Sequence, residues 1–176
     1  MTPFRMLAIG LAALAVGASS DGLQVSTVAR DGRVYVSCAL TDEVTAEVDE
    51  AIQSGLATTI IFETDLRRSV SVWLDRTLAS STVTAVVQRD TLTGRYQISR
   101  SVDGRLEDSR VTDDTIAMRH FVKAFDRLPL FTAAELEPNV EYYVRVRVRT
   151  RPRTTWFFWP WDRPAATGFA RFTFIP

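Results

Sequence analysis

The sequence predicts a mainly β fold of antiparallel strands with two α-helices packed on it, and three observations carry that prediction. From Leu136 to Arg149 the chain reads Leu-Glu-Pro-Asn-Val-Glu-Tyr-Tyr-Val-Arg-Val-Arg-Val-Arg. Strand side chains alternate with period two, so Tyr142, Val144, Val146 and Val148 share one face and Tyr143, Arg145, Arg147 and Arg149 the other. β-Prone runs also recur at short intervals, divided by Asp31-Gly32, by the Asp90 to Gly94 stretch and by Asp103-Gly104, sequences that favour hairpin turns. Only two stretches change to helical spacing, one around Val44, Val48 and Ile52 and one from Ile116 to Leu128.

The chain opens with Arg5, an apolar run from Met6 to Val16, and then Val16-Gly17-Ala18 before Ser19-Ser20-Asp21. That order of charged, apolar and small residues reads as a secretory signal peptide, with cleavage expected after Ala18. The apolar run is about half of the roughly 20 residues a spanning helix needs, so a retained anchor is the lesser alternative. Residues 19–176 then form a single domain, large enough for a sizeable core. With Arg5 gone, 20 basic residues face 21 acidic ones. A chain so balanced offers no general field for nucleic acid.

In chain order, Leu23 to Arg30 and Arg33 to Leu40 make an opening hairpin. Thr41 and Asp42 offer an N-cap to a helix of about twelve residues ending at Gly55, with a valine face toward the sheets. From Ala57 to Asp75 a long extended segment follows, with Ile60, Phe62, Leu66, Val70, Val72 and Leu74 of one parity and a bend or bulge at Arg67 and Arg68. Ser81 to Arg89, Arg95 to Val102 and Leu106 to Val111 form a meander. Asp113 and Asp114 suit the first turn of a second helix, whose apolar stripe is Ile116, Phe121, Ala124, Phe125 and Leu128, and Pro129 ends it. Tyr142 to Thr150 and Gly168 to Ile175 are the final strands, with Ala170, Phe172 and Phe174 facing one way.

The lead-in Leu136-x-Pro138-x-x-x-Tyr142-x-Val144-x-Val146 resembles the start of the F strand in fibronectin type III and immunoglobulin-like sandwiches. The resemblance implies an antiparallel Greek-key β-sandwich, with Tyr142 buried and its hydroxyl bonded to a backbone acceptor near Leu136. A second set of residues resembles the bacterial domain-of-unknown-function 4390 family: Asp90-x-Leu92-Thr93-x-x-Tyr96-x-Ile98-x-Arg100, the strand and helix that follow with Phe121 and Phe125, and Leu136-x-Pro138-x-x-x-Tyr142-Tyr143-Val144-Arg145-Val146-Arg147. This likeness covers most of the mature chain and implies an exported bacterial sandwich. It brings no established activity and no catalytic residue, and the aromatic loop near the C terminus departs from its pattern.

Residues able to do chemistry are few. Cys38 is the only cysteine, so no intramolecular disulfide forms, and its alternation with Val34, Val36 and Leu40 places it on a buried strand face rather than at a reactive site. His120 is the only histidine and sits between Arg119 and Lys123 on the solvated side of a helix, without a paired nucleophile motif. One histidine and one cysteine exclude the common zinc sets. Glu43, Glu47, Asp49 and Glu50 lack calcium-loop spacing and read as a solvated helix face. No nucleophile elbow, phosphate loop or dinucleotide fingerprint occurs, so neither a cofactor nor an enzyme is expected.

Two features remain. Arg145, Arg147, Arg149, Arg151 and Arg153 recur at every second position, a row with steps of about 7 Å on one strand face. Either acidic residues on neighbouring strands answer it, or it is a strip facing lipid phosphates or an acidic partner. After it comes Trp156-Phe157-Phe158-Trp159-Pro160-Trp161, with three of the four tryptophans. Such a stretch covers an open sandwich edge, or forms an aromatic tip at a membrane interface or protein contact. The expectation is a non-enzymatic binding module, periplasmic or envelope-associated, whose partner is an envelope protein or the membrane surface; the alternative is an envelope hydrolase with an unrecognised site. The leader reading is checked by intact-mass analysis of exported protein. A mature chain starting at Ser19 is expected, and a chain retaining Met1 would instead mark an anchor.

Overall fold

The computed structural model describes residues 13–14, 17–18, 22–41, 46–69, 76–152 and 166–175, with backbone alone at 13–14, 17–18, 46–47 and 151–152. In chain order they form β1 (Ala13–Leu14), β2 (Gly17–Ala18), β3 (Leu23–Arg30), β4 (Arg33–Leu40), α1 (Ala46–Gln53), β5 (Thr58–Arg68), β6 (Arg76–Arg89), β7 (Tyr96–Val102), β8 (Arg105–Thr112), α2 (Thr115–Lys123), β9 (Ala124–Thr132), β10 (Glu141–Pro152) and β11 (Ala166–Thr173).

Local signals place most of these elements. Asp31 and Gly32 both take left-handed backbone, φ 52° and 72°, which a tight hairpin requires, and β3 and β4 pair from Leu23↔Leu40 to Arg30↔Arg33. Gly55, φ 82°, closes α1: its N–H bonds the Ile52 carbonyl and the Leu56 N–H bonds the Ala51 carbonyl, the two reversed bonds of a glycine C-cap. Asp114 caps α2, its carboxylate accepting from the N–H groups of Ile116 and Ala117.

All strand pairs are antiparallel and lie in two sheets, ordered β1-β3-β4-β9 and β2-β11-β10-β5-β6-β7-β8. The chain passes from β4 to β5 and again from β9 to β10, so two sheet-to-sheet crossings run side by side. This is the Greek-key arrangement of the immunoglobulin and fibronectin type III sandwiches, a β3-β4-β9 sheet facing β11-β10-β5, here extended by the β6 to β8 meander. Val34, Val36 and Cys38 from the small sheet meet Ile60, Phe62, Val83, Val87, Ile98, Val144, Val146 and Val148 from the large one, all buried. Phe62 receives Phe125 edge-on at 5.3 Å between centroids. α1 buries Val48 and Ile52; α2 buries Met118, Phe121 and Val122.

The second helix is shorter than its apolar spacing predicts. Phe121 and Phe125 are four apart and fit one helix face, yet the helix stops at Lys123, and Ala124, Phe125, Leu128 and Pro129 belong to β9. β4 needs a second hydrogen-bonding neighbour, and β9 supplies it through Val34↔Phe131, Val36↔Leu128 and Cys38↔Phe125. Pro129 is tolerated because β9 is an edge strand. Arg100 fixes the handover, donating to the carbonyls of Phe121 (2.5 Å) and Ala124 (2.7 Å) with its guanidinium over the Phe121 ring. Ile116 is 79% exposed rather than part of a buried stripe. Of the extended segment expected from Ala57 to Asp75, the described part is β5, which ends at Arg68 with a register shift between Leu66 and Arg67, as the paired arginines suggest; the next strand, β6, begins at Arg76. Asp42, Val44, Val70, Val72 and Leu74 lie outside the described residues.

Tyr142 is 1% exposed, packs on Phe172, and its hydroxyl is tied to upstream backbone as the resemblance implies. The direction of the bond is the reverse of that expected: the hydroxyl accepts from the Glu137 N–H at 2.8 Å. Tyr142→Phe therefore orphans a backbone donor without opening a cavity. A loss of about 1 kcal/mol or somewhat more follows, or roughly 2–4 °C in Tm for a domain of this size; an unchanged melting curve would remove the corner bond from the stabilising set.

Candidate functional site

β10 is the strand on which the predicted site residues were placed, and it lies between β5 and β11 in the large sheet. Its valines are fully buried, so Arg145, Arg147 and Arg149 point from the opposite, outer face. β5 runs alongside in a register that sets Arg145 opposite Asp65 and Arg147 opposite Glu63. The carboxylates, like the arginines, stand two residues apart, so both rows project from one face.

The ion pairs follow from that register. Arg145 Nη2 lies 2.6 Å from Asp65 Oδ2, with its Nε at 3.3 Å from the same oxygen. Arg147 Nη2 reaches Asp65 Oδ2 and Glu63 Oε2, each at 3.4 Å, and Arg149 Nε lies 3.3 Å from Glu63 Oε1. Ser80 on β6 donates to the other oxygen of Asp65 at 2.9 Å. The Asp65 side chain is only 10% exposed, and the three arginine side chains are between 25% and 33% exposed. Burial pushes the Asp65 carboxyl up, but the hydrogen bonds from Arg145 and Ser80 and the charges of Arg145 and Arg147 outweigh it and hold the group below the usual carboxylate range. Cross-strand pairing is therefore the arrangement of Arg145, Arg147 and Arg149.

Toward the C-terminal end of the row no carboxylate of β5 stands directly opposite, and Arg149 reaches Glu63 diagonally. Arg149 stands opposite Ile61 and Arg151 opposite Thr59, and residues 58–62, Thr-Thr-Ile-Ile-Phe, include no carboxylate. The pairing of β10 with β11 also stops at Val148↔Ala166. The connection from Pro152 to Ala166 therefore leaves β10 at the end where β5 offers no facing carboxylate. The α1 connection into β5 and the Asp90 to Gly94 turn between β6 and β7 open at that same end of the sandwich. Arg153 and the aromatic candidates Trp156, Phe157, Phe158, Trp159 and Trp161 lie outside the described residues, and Arg151 is described by its backbone alone.

Beside the row is a cluster the sequence reading missed. Tyr143 and Phe169 are diagonal neighbours on β10 and β11 with ring centroids 6.4 Å apart, and the Arg67 guanidinium sits 5.9 Å over the Tyr143 ring. Phe169 precedes Ala170 and so takes the face opposite the core, a parity that could have identified it.

A second place of interest is an open groove of about 400 Å³ between the small sheet and α2, lined by Gln24, Ser26, Ser37, His120 and Asp126. Ser37 Oγ donates to Asp126 Oδ1 at 2.7 Å and accepts from the Arg127 N–H at 2.9 Å. Arg127 is left-handed, φ 46°, within the irregular stretch of the β4–β9 ladder, so the serine holds a strand irregularity. Its hydrogen bonds go to a carboxylate and a backbone amide rather than to an imidazole, unlike an activated nucleophile. Cys38 lies in the wall of this groove, buried, and burial pushes its thiol up to about 12. Among the described residues no group of His, Cys, Asp and Glu could hold a metal ion, and no helix is long and apolar enough to cross a membrane.

Asp65 ties the row together, and its titration gives a test. A carboxyl depressed by folding contributes stability that is present above its unfolded value of about 3.9 and is lost as pH falls through the lower folded value. Asp65→Asn should be less stable than wild type at pH 7 by about 1–3 kcal/mol, since it removes charged hydrogen bonds. The difference should shrink as the wild type is acidified below about pH 4. Melting curves of both proteins across that range check it, and parallel curves would exclude Asp65 as the acid-sensitive group.

A family model described as Domain of unknown function (DUF4390) matches residues 22–154, from just before β3 to just past the end of β10. No curated protein and no solved structure matches the chain.

Proposed function

The chain belongs to the domain-of-unknown-function 4390 family, and from that premise we propose that it is an exported, non-enzymatic binding module of the bacterial cell envelope. Its binding end is the aromatic loop with Trp156, Phe157, Phe158, Trp159 and Trp161, beside the arginine-lined strand β10. The partner carries negative charge, as a membrane headgroup surface or an acidic envelope protein.

The observation that supports this reading is the uneven compensation of the arginine row. Glu63 and Asp65 answer its first three members, and no carboxylate of β5 stands opposite the end that leads into the loop. Arginine flanking indole rings suits both proposed surfaces, because guanidinium groups fork onto phosphates or carboxylates while tryptophan sits at the boundary between apolar and wet regions. An envelope hydrolase, the alternative, would place its site in the groove at Ser37, His120 and Asp126, where the serine donates to the carboxylate. That geometry supports it less.

Replacing Trp156, Trp159 and Trp161 together with serine tests the reading. If the loop is a binding tip, Tm stays close to wild type. Recovery with anionic vesicles or with a crosslinked envelope partner then falls about thirtyfold, the equivalent of about 2 kcal/mol for a lost aromatic anchor. Vesicles of anionic and of neutral lipid separate the membrane arm from the protein arm. Early melting of the variant, together with a wild type that sediments with neither vesicles nor an envelope protein, would assign the loop to covering the sandwich edge instead.

A further inference from the structure

At one side of the sandwich β11 approaches β3 closely at Gly168. A Cβ there would lie 2.7 Å from Val25 Cγ2 and 3.1 Å from Leu23 Cδ2, so any side chain would have to displace Val25. β3 and β11 would be the outermost strands on this side but for two short segments. β1 pairs Ala13 with Ala29 and Leu14 with Val28 on the small sheet; β2 pairs Gly17 with Ala170 and Ala18 with Phe169 on the large one. Leu14 and Gly17 are three peptide units apart, a reach of at most about 11 Å, close to the ~10 Å spacing of packed sheets. Ala13–Leu14 and Gly17–Ala18 thus occupy the hydrogen-bonding edges of both sheets on this side. Both belong to the stretch that the sequence reads as the end of a leader cleaved after Ala18.

We propose that the β3/β11 edge is a strand-acceptor site: Ala13–Leu14 and Gly17–Ala18 fill it in the intact chain, and after their removal it takes an extended segment of small and apolar residues from an envelope protein. An unpaired strand edge is a template for another backbone. In strand addition the main-chain bonds give affinity and alternate side chains give specificity. The segment seated on the edge defines the occupant's chemistry: Ala13, Leu14, Gly17 and Ala18 are the paired positions, and no charged residue occurs from Met6 to Ala18. Phe169, 38% exposed, and its neighbour Tyr143 form an apolar shelf on the outer face at the β2 position. The proposal rests on the export and leader removal of the proposed function but uses no residue of the aromatic connection, so the tryptophan test and the edge test can fail separately.

The test uses the full chain with Ala13→Pro and Gly17→Pro, which remove backbone donors and disfavour the pairing while keeping chain length. The probe is a fluorescent synthetic peptide of residues 11–18 carrying terminal lysines for solubility. The double variant is expected to bind it at least tenfold more tightly than the self-occupied wild type. Amide exchange at the one of Phe169 and Ala170 whose N–H points toward β2 should be faster in the variant and slow again when peptide is added. A full chain with a protease site inserted after Ala18, cut after folding, should behave as the double variant and guards against misfolding of the proline form. Equal peptide binding by cut and uncut chains, β11 exchange unaffected by cutting, or self-association of the cut chain without peptide uptake would each overturn the proposal.

Discussion

Everything in this sandwich depends on the register of one strand. β10 carries fully buried valines on one face and arginines on the other, and it is the shared neighbour of β5 and β11. A slip of one residue would turn Arg145, Arg147 and Arg149 into the core and expose Val144, Val146 and Val148. Burying unpaired guanidinium groups costs far more than a ladder bond returns, so no neighbouring register competes. The Tyr142 hydroxyl fixes the start of the strand against the Glu137 amide, and the carboxylates of β5 answer the arginines only in the observed alignment. The core and the outer face thus demand the same pairing.

The parts of the fold legible in the sequence are those written locally. The Asp31-Gly32 and Asp103-Gly104 turns, the glycine end of α1, the Asp114 cap and the period-two valines each name their structure within a few residues. The boundary between α2 and β9 could not be read this way. Phe121 and Phe125 satisfy helix spacing, and what breaks the helix is distant: β4 requires an edge partner, Phe62 receives the Phe125 ring, and Arg100 from β7 takes the last carbonyls. The sense of the Tyr142 bond was hidden for a similar reason, since a hydroxyl both donates and accepts and only the geometry of the corner decides.

The candidate site divides along the same line. The arginine row was legible, and so in principle were its partners, because Glu63 and Asp65 share its two-residue spacing; knowing that β5 rather than another strand lies beside β10 needed the sheet order. The pairing of Ser37 with Asp126 joins residues 89 apart and has no local signature. β1 and β2 were masked by a different reading, for the small apolar residues that make a leader are also those that sit on a close-packed edge without clash.

Pairing part of the arginine row has a consequence for where its field is felt. Steps along a strand face are about 7 Å, and the screening length at physiological ionic strength is about 8 Å. A charge placed at the Pro152 end of β10 would therefore sense the nearest one or two arginines and little of those behind them. Arg145 and Arg147, held by Asp65 and Glu63, stiffen the strand and prevent the row from repelling itself apart, yet contribute little potential at that distance. A row left wholly unpaired would spread its charge over the sheet face and weaken the strand that carries it. Glu63 and Asp65, two carboxylates of one neighbouring strand, thus answer Arg145, Arg147 and Arg149 together, and the register that buries the valines is the one that brings these charges into reach.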